Sequence, residues 1–192
     1  TYASRVLIRS EQVVAQVKKA LTQMDAMKVI GCSPAHLQEM RRLSYAWRYI
    51  QEVLYIDGLT AQCSSLESNG GYFTFPKPDR ILPSGYRAWY TEKNDLGINR
   101  FMAAFASDHH MVIIDPMSLI DVIPFTNSPT QVALISTFTN RVLASSAPLD
   151  EHAWLSIRNG RLETLTENNI VYTVRHYPEL QVAILTWSST LP

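Results

Sequence analysis

The side chains best suited to reversible covalent chemistry are the two cysteines, Cys32 and Cys63. In a reducing compartment, two separated thiols are usually ordinary buried residues, whereas in an oxidising compartment an even pair predicts one disulfide. A bridge between them would close a loop of about 30 residues and stabilise the fold by roughly 3 to 4 kcal/mol through chain entropy. The spacing permits this bridge without requiring it, and a purely structural bridge explains the pair as well as a switch does.

Cys32 comes directly before the clearest helix signal of the chain, which we predict over residues 33–55. Ser33-Pro34 is a typical start, since serine caps a helix and proline suits its first position. The apolar residues recur on one face: Leu37, Met40, Leu43, Trp47, Ile50 and Leu54. Asp57-Gly58 would end this helix, and its positive N-terminal end would modestly favour a thiolate at Cys32.

Cys63 lies in residues 59–66, whose alternating pattern predicts a β-strand. The alternation places Leu59, Ala61 and Cys63 on one face of that strand. A strand that returns antiparallel to the preceding helix can bring Cys63 back towards Cys32.

The elements before the cysteines and directly after them are an amphipathic helix and a loop. We predict the helix over residues 10–29, with Ser10 as its N-terminal signal, although residues 2–9 could extend it. After the turn at 69–71, the chain to Asn99 is rich in loop signals. The aromatic residues of this loop are expected to pack onto the core: Tyr72, Phe73, Phe75, Tyr86, Trp89 and Tyr90.

The second half of the chain is predominantly β. Hairpins are predicted over 100–114, 131–144 and 170–187, with a short helix over 115–123 and a helical turn over 150–155. This order predicts an α+β fold in which N-terminal amphipathic helices pack on an antiparallel sheet. Among common architectures, it is compatible with PAS-like or Cache-like sensor domains.

Composition and charge exclude several functional classes. The 192 residues include 17 Lys and Arg and 17 Asp and Glu, and no local basic stripe replaces the missing net charge. A nucleic-acid binder driven by charge is therefore excluded. No apolar run approaches the ~20 residues that a membrane-crossing helix needs. Because the chain starts at Thr1 on a helix and stops just after a strand, we expect an extracytoplasmic loop taken from between two membrane spans.

Other chemistry-bearing patterns are weaker. Asp108-His109-His110 lies where a hairpin turn is predicted, which favours turn residues over a metal or acid–base site. No nucleophile-elbow or phosphate-binding glycine motif is present, so we predict no catalytic residue, metal site or cofactor. The aromatic loop over 72–90 could line a small-molecule pocket, although core packing explains it better.

Three blocks of the sequence together resemble a known family. These are Gly31-Cys32-Ser33-Pro34, Tyr55-Ile56-Asp57-Gly58 and Cys63-Ser64-Ser65. In this spacing they resemble the CSS-motif sensor domain, the periplasmic module of bacterial inner-membrane cyclic-di-GMP phosphodiesterases. The resemblance is strongest from Gly31 to about Phe75 and rests on the order of elements beyond that.

The resemblance implies a periplasmic domain flanked by two transmembrane helices and followed by a cytoplasmic EAL domain. That EAL domain would use metal ions to hydrolyse cyclic-di-GMP, so this chain would be the regulatory input and not the enzyme. The resemblance also implies that periplasmic thiol-oxidising machinery joins Cys32 to Cys63. The oxidised state would restrain the phosphodiesterase, whereas the free-thiol state would be active and open to removal by periplasmic proteases.

We therefore interpret residues 1–192 as one periplasmic sensor domain. It would comprise a membrane-proximal helix (1–30), a cysteine-bearing helix–strand unit (31–66) and a loop-rich and β portion (67–192). The hydroxyls of Ser64 and Ser65 are expected to hydrogen bond at a strand edge, and a homodimer is compatible with this interpretation. The alternative is a periplasmic small-molecule sensor with a purely structural disulfide, and a free-standing hydrolase is disfavoured.

Overall fold

The structure is a computed structural model, and the residues it describes are 1–28, 31–66, 73–91, 102–124 and 128–192. They form two compact units. The cysteine unit comprises residues 12–115, and the C-terminal unit comprises residues 1–11 together with 116–192. The single sensor domain of the sequence analysis, with its three segments, stays a prediction.

The first helix, α1 (Tyr2–Asp25), confirms the amphipathic pattern but begins well before Ser10. Ser10 does not cap this helix. It is buried inside α1, and its hydroxyl donates to the carbonyl oxygen of Val6 at 2.8 Å. A serine can bond to the preceding turn in this way, so its presence does not mark a helix start.

The second helix, α2 (Pro34–Ala46), begins where the sequence predicts and ends earlier. The predicted helix to residue 55 is wrong because residues 52–57 form a strand in the middle of a sheet. This segment is rich in β-branched and aromatic side chains, which favour strands, and its pairing with strands on both sides outweighs a helical apolar periodicity.

The cysteine unit contains a seven-stranded sheet in the order β3-β2-β1-β7-β6-β5-β4. Every pair in this sheet is antiparallel. The strands are β1 (Glu52–Asp57), β2 (Thr60–Ser64), β3 (Phe73–Thr74), β4 (Arg80–Ile81), β5 (Arg87–Thr91), β6 (Met102–Ala106) and β7 (His110–Ile114).

The C-terminal unit contains a five-stranded antiparallel sheet in the order β10-β11-β12-β8-β9. Its elements are α3 (Met117–Ile120), β8 (Gln131–Ser136), β9 (Val142–Ser145), α4 (Glu151–Gly160), β10 (Thr164–Glu167), β11 (Ile170–Tyr177) and β12 (Val182–Ser189). Trp154 and Ile157 of α4 pack into the apolar cluster of this sheet.

The predicted α+β class with antiparallel sheets and helices is confirmed, and so are the three hairpins, within the described residues. The short helix after Asp115 ends sooner than predicted, whereas α4 is longer than one turn. The sequence analysis missed β10. The predicted turn at 69–71 and residues 92–100 lie outside the described residues.

Most of the described aromatic residues in the segment after β2 are packed into the core, as predicted, whereas Tyr86 is only partly buried. Phe75 and Trp89 belong to the apolar cluster on one face of the seven-stranded sheet, and Phe73 packs against it. The indole N–H of Trp89 donates to the carbonyl oxygen of Pro76 at 2.8 Å, which satisfies its polar atom. The segment also contains the short strands β3, β4 and β5, and Tyr72 lies outside the described residues.

Candidate functional site

A disulfide joins Cys32 to Cys63 within the cysteine unit, with 6.0 Å between their Cα atoms. Cys32 lies directly before α2, and Cys63 lies in β2, where it pairs with Tyr55 of β1. The bridge therefore connects the start of a helix to a strand of the seven-stranded sheet. The pairing that the resemblance implies is present in the structure.

Local sequence explains the placement of Cys32. Ser33 has an extended backbone, and its hydroxyl accepts the backbone N–H of His36 at 3.2 Å, which is a helix N-cap. Pro34 occupies the first helical position, where a missing N–H costs nothing. This start signal is local and strong, so it sets the position of Cys32 relative to α2.

A bulge decides the face on which Cys63 lies. Cys63 pairs with Tyr55, but Ala61 pairs with Ile56, so β2 contains one extra residue between two consecutive partners on β1. Consecutive strand residues point to opposite faces, and the bulge therefore separates Cys63 from Ala61. The predicted shared face of Leu59, Ala61 and Cys63 is wrong for this reason. Ala61 belongs to the apolar cluster, whereas Cys63 shares the face of Tyr55, which contacts α2.

The two ends of the disulfide differ in exposure. Cys32 is exposed, whereas Cys63 is buried, with 2% of its surface accessible. The difference follows from their positions, since Cys32 precedes a helix at the surface and Cys63 lies within the sheet.

Ser64 and Ser65 both hydrogen bond to β1. The Ser64 hydroxyl donates to the carboxylate of Glu52 and accepts the backbone N–H of Leu66. The Ser65 hydroxyl accepts the backbone N–H of Val53 at 3.0 Å, and its own N–H donates to the Val53 carbonyl oxygen at 2.8 Å. These bonds hold the end of β2, directly after Cys63, against β1.

Ser65 also connects this strand end to α2. Its carbonyl oxygen accepts from the Nε of Arg41 at 3.3 Å. Arg41 belongs to the helix that Cys32 precedes, so a hydrogen bond and the disulfide both link α2 to the β2 end.

A hydrogen-bonded series of polar side chains lies on the Cys63 face of the sheet; its two imidazoles, His36 and His110, are buried, whereas its carboxylate, Asp25, is exposed. The carboxylate of Asp25, at the end of α1, is 2.9 Å from Nδ1 of His110. The Nε2 of His110 is 3.0 Å from the Nε2 of His36, in the first turn of α2. Tyr55 lies beside both imidazoles, with ring centroids 5.8 Å from His36 and 5.6 Å from His110.

The hydrogen-bond partners show which ring nitrogen atoms of His110 and His36 carry protons. A carboxylate only accepts, so Nδ1 of His110 carries the proton that faces Asp25. Nε2 of neutral His110 then accepts from the Nε2–H of His36. Burial lowers the pKa of His110, because it disfavours the charged form more than the bond to Asp25 and its charge favour it.

The hydrogen-bonded series Asp25–His110–His36 was not predicted from the sequence. Asp108 and His109 are turn residues, as predicted, but His110 begins β7 and is buried. His36 was isolated in sequence and is buried as well. No local pattern in the sequence indicates the contact of His36 with a histidine 74 positions later.

The described residues contain no group of three or more His, Cys, Asp or Glu side chains that could hold a metal ion. They also line at least one cleft in each of the two units. One, of about 320 Å³, lies between the end of α1 and α2 in the cysteine unit. The other, of about 570 Å³, lies in the C-terminal unit and includes Tyr2, Arg175 and Trp187. Neither cleft is lined by the aromatic segment 73–90.

A family model described as the CSS motif domain associated with EAL matches residues 1–192. The chain belongs to this family. The CSS-motif domain is also 44% identical, over 190 residues, to a protein of Escherichia coli K12 named "Probable cyclic di-GMP phosphodiesterase PdeB". The match covers 99% of this chain and 37% of that relative, so the chain spans little more than a third of the relative's length.

The chain is similar in fold to solved domains of two histidine kinases. The extracellular domain of rpHK1S-Z16, described as a histidine kinase, aligns with a TM-score of 0.63 at 8% identity, covering 98% of this chain and 90% of that one. The sensor domain of the Vibrio cholerae histidine kinase DctB aligns with a TM-score of 0.54 at 12% identity, covering 98% and 96%. The CSS-motif domain therefore shares the fold of these domains, and the predicted PAS-like or Cache-like architecture is confirmed at the level of the fold.

Among the described residues, none of the helices has the length and apolar character needed to cross a membrane.

Proposed function

We propose that this CSS-motif domain is a periplasmic redox-sensing input that controls a cyclic-di-GMP phosphodiesterase domain of the same protein through the Cys32–Cys63 pair. The observation that carries the proposal is a disulfide between α2 and β2 whose Cys32 end is exposed to solvent. An exposed bridge is accessible to thiol exchange, which a regulatory disulfide requires. The family match and the E. coli relative support the link to an EAL phosphodiesterase domain.

Opening the bridge would loosen a specific connection. In the oxidised domain, the start of α2 is tied to β2 by the disulfide and by the Arg41–Ser65 hydrogen bond. Without the disulfide, the first turn of α2 keeps its contact to His110 through His36. Reduction would therefore change how firmly α2 is held on the sheet while leaving the sheet itself intact.

The proposed setting follows from the family. Transmembrane helices would flank the domain, and the EAL domain would lie in the cytoplasm. Periplasmic thiol-oxidising machinery would close the bridge, and periplasmic proteases would remove the reduced, active form. A homodimer is part of the proposal.

A second candidate is a periplasmic small-molecule sensor in which the disulfide is purely structural. The cleft in the C-terminal unit favours it, because about 570 Å³ lies within the range of small-molecule sites. Its lining includes Trp187 and Arg175, an aromatic and a basic residue, which would suit a ligand with apolar and anionic parts.

The first prediction tests redox control in the full-length protein. In membranes, we expect the Cys32→Ser and Cys63→Ser variants to hydrolyse cyclic-di-GMP as fast as the reduced wild type, and faster than the oxidised wild type. The hydrolysis rate of both variants should not change when oxidant is added, since neither can form the bridge. The double variant is the matched control for effects of the substitutions themselves. Equal activity of the oxidised and reduced wild type would overturn the redox proposal and leave the small-molecule candidate.

A further inference from the structure

We infer that Cys32 is the exchange cysteine of this domain, which forms the mixed disulfide with a thiol–disulfide oxidoreductase, and that Cys63 is the resolving cysteine. The inference deepens the proposed redox function and rests on it for its biological meaning. It concerns which sulfur reacts with the partner, a question separate from whether the output responds.

Access distinguishes the two sulfurs. Thiol–disulfide exchange requires the attacking sulfur to reach the attacked one directly, so burial of one partner directs the reaction to the other. Cys32 is exposed, whereas Cys63 is 2% accessible and lies in the sheet beside Tyr55. A protein partner can therefore reach Cys32 without unfolding the sheet, but cannot reach Cys63.

The start of α2 supports the same assignment. Ser33 caps the 13-residue helix, and the N–H groups of its first turn lie directly after Cys32. These groups favour negative charge at a helix N-terminus, and the nucleophile in exchange is a thiolate. Cys63 lies instead in a strand, next to backbone that is already paired with β1.

The balanced oxidation has two steps. The Cys32 thiolate attacks one sulfur of the oxidoreductase disulfide, so a Cys32–S bond forms, the S–S bond of the oxidoreductase breaks, and its second sulfur leaves as a thiolate. Cys63 then loses its proton to solvent, and its thiolate attacks Sγ of Cys32. The Cys32–Cys63 bond forms, the mixed-disulfide bond between Cys32 and the oxidoreductase breaks, and the sulfur of the oxidoreductase leaves as a thiolate, so the oxidoreductase carries two electrons away from the domain. Reduction is the reverse, with the attacking thiolate arriving at Cys32.

The test compares single-cysteine forms of the 192-residue chain. A small aromatic disulfide, 5,5′-dithiobis(2-nitrobenzoate), should react with Cys32 of the Cys63→Ser variant at least about tenfold faster than with Cys63 of the Cys32→Ser variant. In guanidinium chloride the two rates should become equal, because both thiols are then exposed. Equal native rates, or faster reaction of Cys63, would overturn the inference.

A second measurement does not depend on how the variants fold. Reduced wild-type chain is mixed with oxidised glutathione for a short time, quenched with acid and mapped by mass spectrometry. We expect the glutathione adduct on Cys32, and an adduct mainly on Cys63 would contradict the assignment. Neither measurement reads phosphodiesterase activity. If the rates differ as expected while the full-length enzyme ignores redox state, the proposed function fails and the exchange order stands.

Discussion

At the scale of single residues, the hydrogen-bonded series Asp25–His110–His36, with its two buried imidazoles, makes the domain sensitive to protons near its disulfide. When both imidazoles are neutral, each of their N–H groups in this series is directed at an acceptor. A proton added to His110 would place N–H groups on both facing Nε2 atoms unless His36 moved its own proton to Nδ1. Ser107 adds a further hydrogen bond to Asp25 at 2.9 Å, and His109 is the neighbouring titratable group in the turn.

The sign of the pH effect follows from the direction of the pKa shift. Burial lowers the pKa of His110 in the folded state, so the unfolded chain binds the proton more readily. The free energy of unfolding is therefore at its full value when the pH lies above the usual histidine pKa of about 6.5, and it falls as the pH drops below that value. We expect His110→Gln to show a smaller loss of unfolding free energy between about pH 8 and pH 5 than the wild type.

Guanidinium unfolding of both proteins at the two pH values measures this difference. His176→Gln is the control substitution, because His176 is exposed and lies on β11 in the C-terminal unit. An identical pH dependence of wild type and His110→Gln would contradict the role of His110.

At the scale of elements, the N-cap of α2 connects the helix to the redox site. The Ser33 hydroxyl is the side chain that accepts the His36 N–H, so its removal leaves a helix N–H unsatisfied. We expect Ser33→Ala to lower the unfolding free energy by about 1 kcal/mol, as measured by chemical denaturation. Ser33→Asp, which keeps a capping oxygen, should lose much less. If both variants matched the wild type, α2 would not depend on its cap.

At the scale of the whole molecule, the disulfide lies within the cysteine unit alone. It closes a loop between positions that are 31 residues apart, containing α2, β1 and most of β2. Its main effect on stability is to restrict the unfolded chain.

We expect the Cys32→Ala, Cys63→Ala double variant to unfold with roughly 3 to 4 kcal/mol less free energy than the oxidised wild type. Reductant should lower the stability of the wild type and leave the double variant unchanged. If neither the double substitution nor the reductant lowered the free energy of unfolding, the bridge would not contribute to the stability of the domain.

Sequence by itself determined the features that depend on short stretches of chain. Ser33-Pro34 sets the start of α2 because capping involves neighbouring residues only. The hairpins follow from alternating patterns on either side of turns. The spacing of Cys32, Cys63 and their flanking serines was sufficient to indicate the family and the paired cysteines.

Only the tertiary structure decided the features that depend on distant partners. α2 ends at Ala46, and residues 52–57 form β1, because they pair with β2 on one side and β7 on the other. The apolar residues of this segment nevertheless continue the helical spacing of α2. The face of Cys63 depends on one extra residue opposite Tyr55, a register choice that alternation alone does not encode. His36 and His110 meet because α2 packs against β1, which is the neighbour of β7 in the sheet, and a contact between positions far apart in sequence has no local signature. These long-range pairings turn two separated cysteines into an exposed and a buried end of one bridge.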